Sequence, residues 1–369
     1  MEETSNVPKL RFKYEDTWQS SKLHFLADIK TGNKDLKDNV EGGKYPFFVR
    51  SNHVERINSY SFDGEAILIP GDGNVGQIYH YIIGKFDFHQ RVYKISNFDS
   101  NIMGKYIYYY FQKNFLKEAL RNSVKATVDS LRLPTIKNFI INYPSIKEQE
   151  KIVKMLNSIE KKINLLYKQQ DALNDFKKFC LQNLFSDKSK LRFKNLQVED
   201  NSDWKKFILK DILLSSSSNL SMADLEDNFG DYKLYGATGF IKCIDFFDQK
   251  EGYMAIVKDG AGVGKTFLCD PKSSVLSTLL YLTPKKDYNL KFCYYLLKTL
   301  HFGKYKVGST IPHIYYKDFS KEKVFIPSVE EQEKIARFLT AIDKKIDFTQ
   351  NQITEMEKFK KGLLQQMFV

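Results

Sequence analysis

Two stretches of this chain share one hydrophobic rhythm. After Pro144, apolar residues recur three and four apart at Leu156, Ile159, Ile163, Leu166, Leu173, Phe176, Cys180 and Leu184. After Pro327 they recur at Leu339, Ile342, Ile346, Ile353, Met356, Phe359, Leu363 and Met367. Such spacing predicts two long helices, each with an a/d seam bordered by Lys and Glu. Glu148-Gln149-Glu150 and Glu331-Gln332-Glu333 put acidic residues in the first turns, where the helix dipole favours them. At about 1.5 Å per residue each helix runs roughly 60 Å, and an apolar seam of that length requires cover. Antiparallel pairing of the two helices supplies it; packing of each helix on its own globular part is the alternative. Gln170 and Thr349 interrupt the seam and are candidates to set its register.

The two helices belong to a larger repeat. "PSIKEQEKIVKMLNSIEKKI" from Pro144 aligns without a gap to "PSVEEQEKIARFLTAIDKKI" from Pro327, an offset of 183 that holds to Phe185 and Phe368. "KLRFK" stands at 9–13 and again at 190–194, each copy followed by a Trp, Trp18 and Trp204. "KYIYYYFQ" (105–112) matches "KFCYYLLK" (291–298) and predicts one helix in each copy. The chain is therefore two copies of one unit of about 180 residues, a variable α+β part followed by a helical tail.

The repeat decides the meaning of "DGAGVGKTF" (259–267), which approaches a phosphate-binding loop. Asp259 stands where that motif needs its first glycine, and the first copy has Gln77-Ile78 in place of Lys265-Thr266. Each copy reads as an apolar run, a glycine-rich reversal and a second run, which predicts a β-hairpin. Asp63 and Glu65 in "FDGEAIL" read as turn residues, and "SSSSN" (215–219) reads as a loop.

Composition narrows the function. The 369 residues include 57 Lys+Arg against 45 Asp+Glu, a net charge of +12 and a pI near 9.1, favouring a polyanionic partner, nucleic acid first. Cys180, Cys243, Cys269 and Cys293 lie far apart, the pattern of buried free thiols in a reducing compartment. No metal-ligand spacing, nucleophile motif, signal peptide or membrane span is legible, so a cytoplasmic, metal-free, non-catalytic recognition protein is expected. Its candidate DNA contacts are the polar and basic residues interleaved with aromatics in the divergent parts. In the first copy these are Arg50, Asn52, His53, Arg56, Gln77, Lys85, His89, Gln90, Arg91, Arg121, Lys125 and Thr127. In the second they are Lys242, Lys258, Lys265, Lys304, Lys306, Thr310, His313 and Lys317. Arg and Lys pair with guanine edges or phosphates, and Asn and Gln with adenine.

The whole pattern resembles the specificity (S) subunits of type I restriction–modification enzymes. The resemblance rests on "PKLRF" before a Trp, on "GSTIPHIYYKDFSKEKVFIPSVEEQEKIARFL", and on Pro-x-x-x-Glu-Gln-x-x-Ile at Pro144 and Pro327. It implies two pseudo-twofold-related α/β target recognition domains, 1–143 and 188–326, separated by spacer helices 144–187 and 327–369 that form an antiparallel coiled coil. Each domain would read one half of a bipartite, asymmetric double-stranded DNA site. The helices would set the gap and dock two methyltransferase (M) subunits, with motor/nuclease (R) subunits joining. S-adenosylmethionine, ATP and Mg would then belong to the partner chains. The first copy departs from the family's pattern, with "ATVDSLRLP" opposite "STIPHIYYK", so that only Thr127 and Thr310 match there. A coiled-coil adaptor without DNA specificity is the competing reading.

Overall fold

A computed structural model describes residues 8–13, 16–121, 130–185, 191, 193 and 204–369. The chain divides into two compact units, residues 1–167 with 351–369, and residues 168–350. The division falls inside the two long helices, Ile146–Leu184 and Val329–Met367. Each unit thus holds the N-terminal half of one helix and the C-terminal half of the other.

The first unit is built on a six-stranded sheet. Its strand order is Asp28–Thr31, Val92–Ser96, Phe62–Pro70, His80–Phe88, Tyr45–Phe48 and Val54–Ile57. All neighbours are antiparallel except His80–Phe88 with Tyr45–Phe48. The run "AILI" is continuously apolar because the strand is buried on both faces: Ile67 and Ile69 pack with the helix Gly104–Arg121, Ala66 and Leu68 with Phe48, Phe86 and Phe88. Asp63 and Glu65 lie within that strand, not in a turn. Gly64 and Gly84 face each other across the ladder with φ of 153° and 125°, a backbone only glycine tolerates, which lets the ladder run through "DGE".

In the second unit, Leu213–Ser217, Leu279–Pro284, Tyr253–Val257 and Thr266–Cys269 form a four-stranded sheet, and Gly239–Ile244, Tyr232–Gly236 and Ser273–Val275 a three-stranded one. The helix Leu290–Thr299 packs against the first. Tyr253–Val257 pairs antiparallel with Thr266–Cys269, so the glycine-rich loop is a hairpin turn and no helix follows it. Ser215, Ser216 and Ser217 of "SSSSN" belong to a strand, contrary to the loop expectation, which holds for Ser218 and Asn219. That strand is a sheet edge, held by backbone pairing with Leu280–Pro284, and needs no apolar alternation to form.

Within each unit the long helices run antiparallel. Glu160 meets Lys360 and Tyr167 meets Glu357 in the first unit; Lys177 meets Asp343 and Gln170 meets Gln350 in the second. Leu156, Ile159 and Ile163 share one core with Leu363, Leu364, Met367 and Phe368, and also with Tyr106, Tyr110 and Ile141 of the globular part; Leu166 is buried as well. Leu339 and Ile342 do the same with Cys180 and Leu184 against Phe292 and Tyr295. Each seam is therefore covered both by the other helix and by its own globe. Ile353 is buried, while Leu173, Ile346 and Met356 are half-buried.

Two seam positions are displaced. Phe176 and Phe359 are exposed, and the adjacent Lys177 and Lys360 turn inward. A helix of 3.6 residues per turn drifts about 20° per heptad from a strict 3.5 repeat, so the buried stripe has moved on by one residue. Thr349 is fully buried but hydrogen-bonds its own helix at Lys345 O; the cross-helix polar contact is Gln170 with Gln350.

Candidate nucleic-acid interface

Both units expose an edge built by one loop and two companion segments. In the first, the reversal between Phe62–Pro70 and His80–Phe88 carries Asp72, whose backbone bridges Ser130, and Leu131 N donates to Gly71 O at 2.8 Å. In the second, Asp259 bridges His313, and Ile314 N donates to Lys258 O at 2.9 Å. Asp72 and Asp259 are thus structural equivalents. The ungapped alignment of the two loops places Asp72 opposite Gly260; the second loop holds one extra residue before Val263, and the Val-Gly pairs then coincide.

Asp72 organises the first edge. Its side chain, 12% exposed, lies 3.3 Å from Arg50 and 3.8 Å from Arg91, which are 50% and 65% exposed. His89 sits between them, buried, with Nδ1 accepting the Arg91 N–H at 2.9 Å. Burial first, and the neighbouring Arg50 next, hold its pKa below the usual imidazole value, against the opposing pull of Asp35 and Asp72. Gln90 donates to Asp35, and His80 contacts Ser51 O, which joins the 49–53 loop with Asn52 and His53 to the same edge. His53 is 3.8 Å from Glu55. Gln77 is exposed in the hairpin loop. The edge therefore gathers Arg50, Asn52, His53, His89, Gln90 and Arg91, with Gln77 in the loop beside it.

Other expected contacts lie elsewhere. Arg56 donates to Gly43 O and Lys44 O and fastens a turn. Lys85 stands 4.8 Å over the Tyr60 ring, and Arg121 pairs with Glu118 at the end of its helix. Lys125 and Thr127 lie outside the described residues.

In the second unit Lys258, Lys265, Lys306, Thr310, His313 and Lys317 fall on the hairpin loop or the 306–317 segment joined to it through Gly260 N to Pro312 O. His313 Nδ1 lies 2.6 Å from Asp259. Lys265, Lys306, Thr310 and Lys317 are exposed, as are Val307 and Ile311. Lys304 is held by Glu322, and Lys242 donates to Leu225 O and Glu226 O, so both serve the fold. The acidic braces Asp72 and Asp259 were missed as site residues, although the repeated Asp-Gly of the two loops was their signal.

A sequence profile described as "Type I restriction modification DNA specificity domain" matches residues 15–175 and 201–358. The chain belongs to this family. The type I restriction enzyme EcoDI specificity subunit of Escherichia coli is 31% identical over 142 residues, 38% of this chain and 31% of that subunit. The MjaVIII specificity subunit of Methanocaldococcus jannaschii is 23% identical over 395 residues, 95% of this chain and 91% of that one. The crystal structure of a type I restriction–modification S subunit from M. genitalium superposes with a TM-score of 0.74 over 98% of this chain and 99% of that one, at 18% identity, a likeness of fold.

In this specificity subunit the repeated Glu-Gln of the spacer helices does more than favour a dipole. Gln149 donates to Pro144 O and Asn101 O and accepts from Met103 N, all at 2.9 Å, stapling the spacer helix to the start of the globe helix. Gln332 repeats this with Pro327 O and Asn289 N. Glu148, fully buried, takes the fork of Arg11, which explains the Arg of the first "KLRFK". Leu10 N donates to Gln366 O, so the same segment also grips the second helix. Arg192 of the second copy lies outside the described residues. No described helix is long and apolar enough to cross a membrane.

Proposed function

We propose that each unit reads one half of a bipartite duplex site through its braced loop edge. On this reading the helices hold the two readers at a fixed gap and dock two methyltransferase subunits, with motor/nuclease subunits joining them. Methyl transfer from S-adenosylmethionine and ATP- and Mg-dependent cleavage take place on those partner chains, within the cytoplasm.

The observation that carries this reading is the equivalence of Asp72 and Asp259. One scaffold presents Arg50, Arg91 and Gln90 in the first unit, and Lys265, Lys306 and Thr310 in the second. A common frame with unlike donors suits a site whose halves differ. The acidic brace takes up part of the charge of Arg50 and Arg91 and orients their forks before DNA arrives, lowering the ordering cost of binding.

The test is exchange. Residues 195–310 are replaced by the matching part of another specificity subunit, and modified sites are mapped in a host that supplies the methyltransferase. One half of the site changes and the other persists; a change in both halves refutes independent readers. Against the adaptor reading, affinity for duplex DNA falls steeply with salt, because phosphate contacts release counterions.

A further inference from the structure

Both units contain the same polar cluster, a buried tyrosine with a half-buried ion pair, and neither the DNA edge nor the apolar seam accounts for it. In the first, Tyr109 of the globe helix donates to Glu160 of the following spacer helix at 2.8 Å. Lys360 of the other long helix reaches the same carboxylate at 2.7 Å, and Lys105 lies 3.5 Å from it. Tyr109 is fully buried, and the Glu160 and Lys360 side chains are about one-fifth exposed. In the second unit, Tyr295 of the globe helix donates to Asp343 at 2.7 Å, and Lys177 lies 2.5 Å from that carboxylate. Asn157 and Thr340 add a second contact to each tyrosine. Glu160 and Asp343 are one 183-residue repeat apart, as are Lys177 and Lys360, so each helix supplies the carboxylate to one cluster and the lysine to the other.

The electrostatics fit a deliberate contact. Burial opposes the charge on Glu160, yet Lys360 and Lys105 with the Tyr109 hydroxyl outweigh it and hold the carboxyl below its usual range. Each lysine has displaced a phenylalanine from the seam, exposing Phe176 and Phe359. An apolar seam of Ile and Leu tolerates sliding, because one aliphatic knob fits another's hole. A half-buried ion pair with a buried tyrosine on its carboxylate resists it, since a slip parts both charges and leaves the hydroxyl without its acceptor; setting register is the best-attested use of such groups.

We infer that the clusters Tyr109–Glu160–Lys360 and Tyr295–Asp343–Lys177 are register locks that restrict the subunit to one gap length between its half-sites. Each ties a globe helix to both long helices at one setting. These are positioning residues; none touches DNA. The inference rests on the helices acting as spacer. A slip of one heptad moves a helix about 10 Å, roughly three base pairs of duplex.

The test removes both lysines, Lys177→Met with Lys360→Met, in the full chain expressed with its methyltransferase, and reads the gap at every modified site. Wild type modifies sites of one gap. The double variant should modify a second gap length at tenfold or more above wild type, with half-site sequences unchanged. The conservative pair Lys177→Arg with Lys360→Arg, which keeps a cation on each carboxylate, should keep a single gap. A second measurement needs neither DNA nor partner: Gln170→Cys with Gln350→Cys, adjacent in the native register, cross-links on oxidation, and the yield should fall severalfold once the lysines are gone. A double variant that keeps one gap overturns the proposal, and so does an unchanged cross-linking yield, including where the variant no longer assembles with its partner. A wild type that modifies no two-part site instead refutes the spacer function, while the cross-link still tests the locks.

Discussion

Replacing Arg11 by Met isolates a single buried charge. The substitution keeps an apolar stem and removes the guanidinium whose Nε and Nη2 lie 2.9 to 3.1 Å from Glu148. The Glu148 side chain is fully buried, and Arg11 is 17% exposed. Stranding one member of a buried pair costs about 3–5 kcal/mol; the partial exposure of Arg11 admits water and favours the lower end, about 3 kcal/mol. For a unit of this size, about 2–4 °C of melting temperature is lost per kcal/mol, so the expected drop is about 6–12 °C. Fluorescence of Trp18, which is buried in this unit, reports the transition when Trp204→Phe silences the other indole. The double variant Arg11→Met/Glu148→Gln should recover most of the loss, because a neutral amide is far cheaper to bury. A drop below about 2 °C, or a double variant no better than the single, refutes the assignment of Arg11–Glu148 as the clasp of the N-terminal segment.

The seam and a buried lysine give two further expectations. Ile163→Asp puts a carboxylate into a core position, whereas Ile346→Asp falls where the side chain is half-buried, so co-purification with methyltransferase subunits should be lost in the first and weakened in the second; equal and normal assembly of both contradicts the paired-helix core. Lys94 lies over the Phe62 ring at 3.3 Å, and burial, with Lys30 adding to it, pushes its pKa down to about 8 from 10.5. Between those values the unfolded chain binds more protons than the folded one, so this group makes stability rise with pH through that window. Lys94→Met should melt above wild type near neutral pH, with the difference closing toward about pH 10.5; a difference constant across the range contradicts a strained ammonium.

What was legible in the sequence follows from how each signal is written. The long helices repeat an apolar period over many residues and the 183-residue offset reads them twice, while the globe helices recur at an offset of 186. The hairpin was legible because the first copy's Gln77 broke the phosphate-loop pattern. Strands held by backbone pairing were harder: the edge strand with Ser215, Ser216 and Ser217 carries no alternation, and Asp63 and Glu65 look like a turn until Gly84 is seen opposite Gly64. The inward turn of Lys177 and Lys360 was hidden by a cumulative drift of a fraction of a residue per heptad. At the loop edges, composition marked the cations but not what braces them. The repeated Asp-Gly marks Asp72 and Asp259, but their partners, such as Arg50 and His313, lie 22 and 54 residues away in the chain, and the motif does not name them.

The amide staples of Gln149 and Gln332 have a consequence for any titration of this protein with salt or acid. They are uncharged, and most of their bonds run to backbone carbonyls and N–H groups in buried surroundings. Counterions therefore have nothing to screen in the staples themselves, unlike the neighbouring Arg11–Glu148 and Lys105–Glu160 pairs, and neither amide titrates in the ordinary range. The arginines and most of the lysines of the loop edges are exposed, so salt screens them. Ionic strength should thus act as a release for bound duplex while the amide staples stay closed. A salt series would then act on the charged contacts, those of the loop edges and those of Arg11–Glu148 and Lys105–Glu160, and leave the uncharged hold of each globe on its long helix in place.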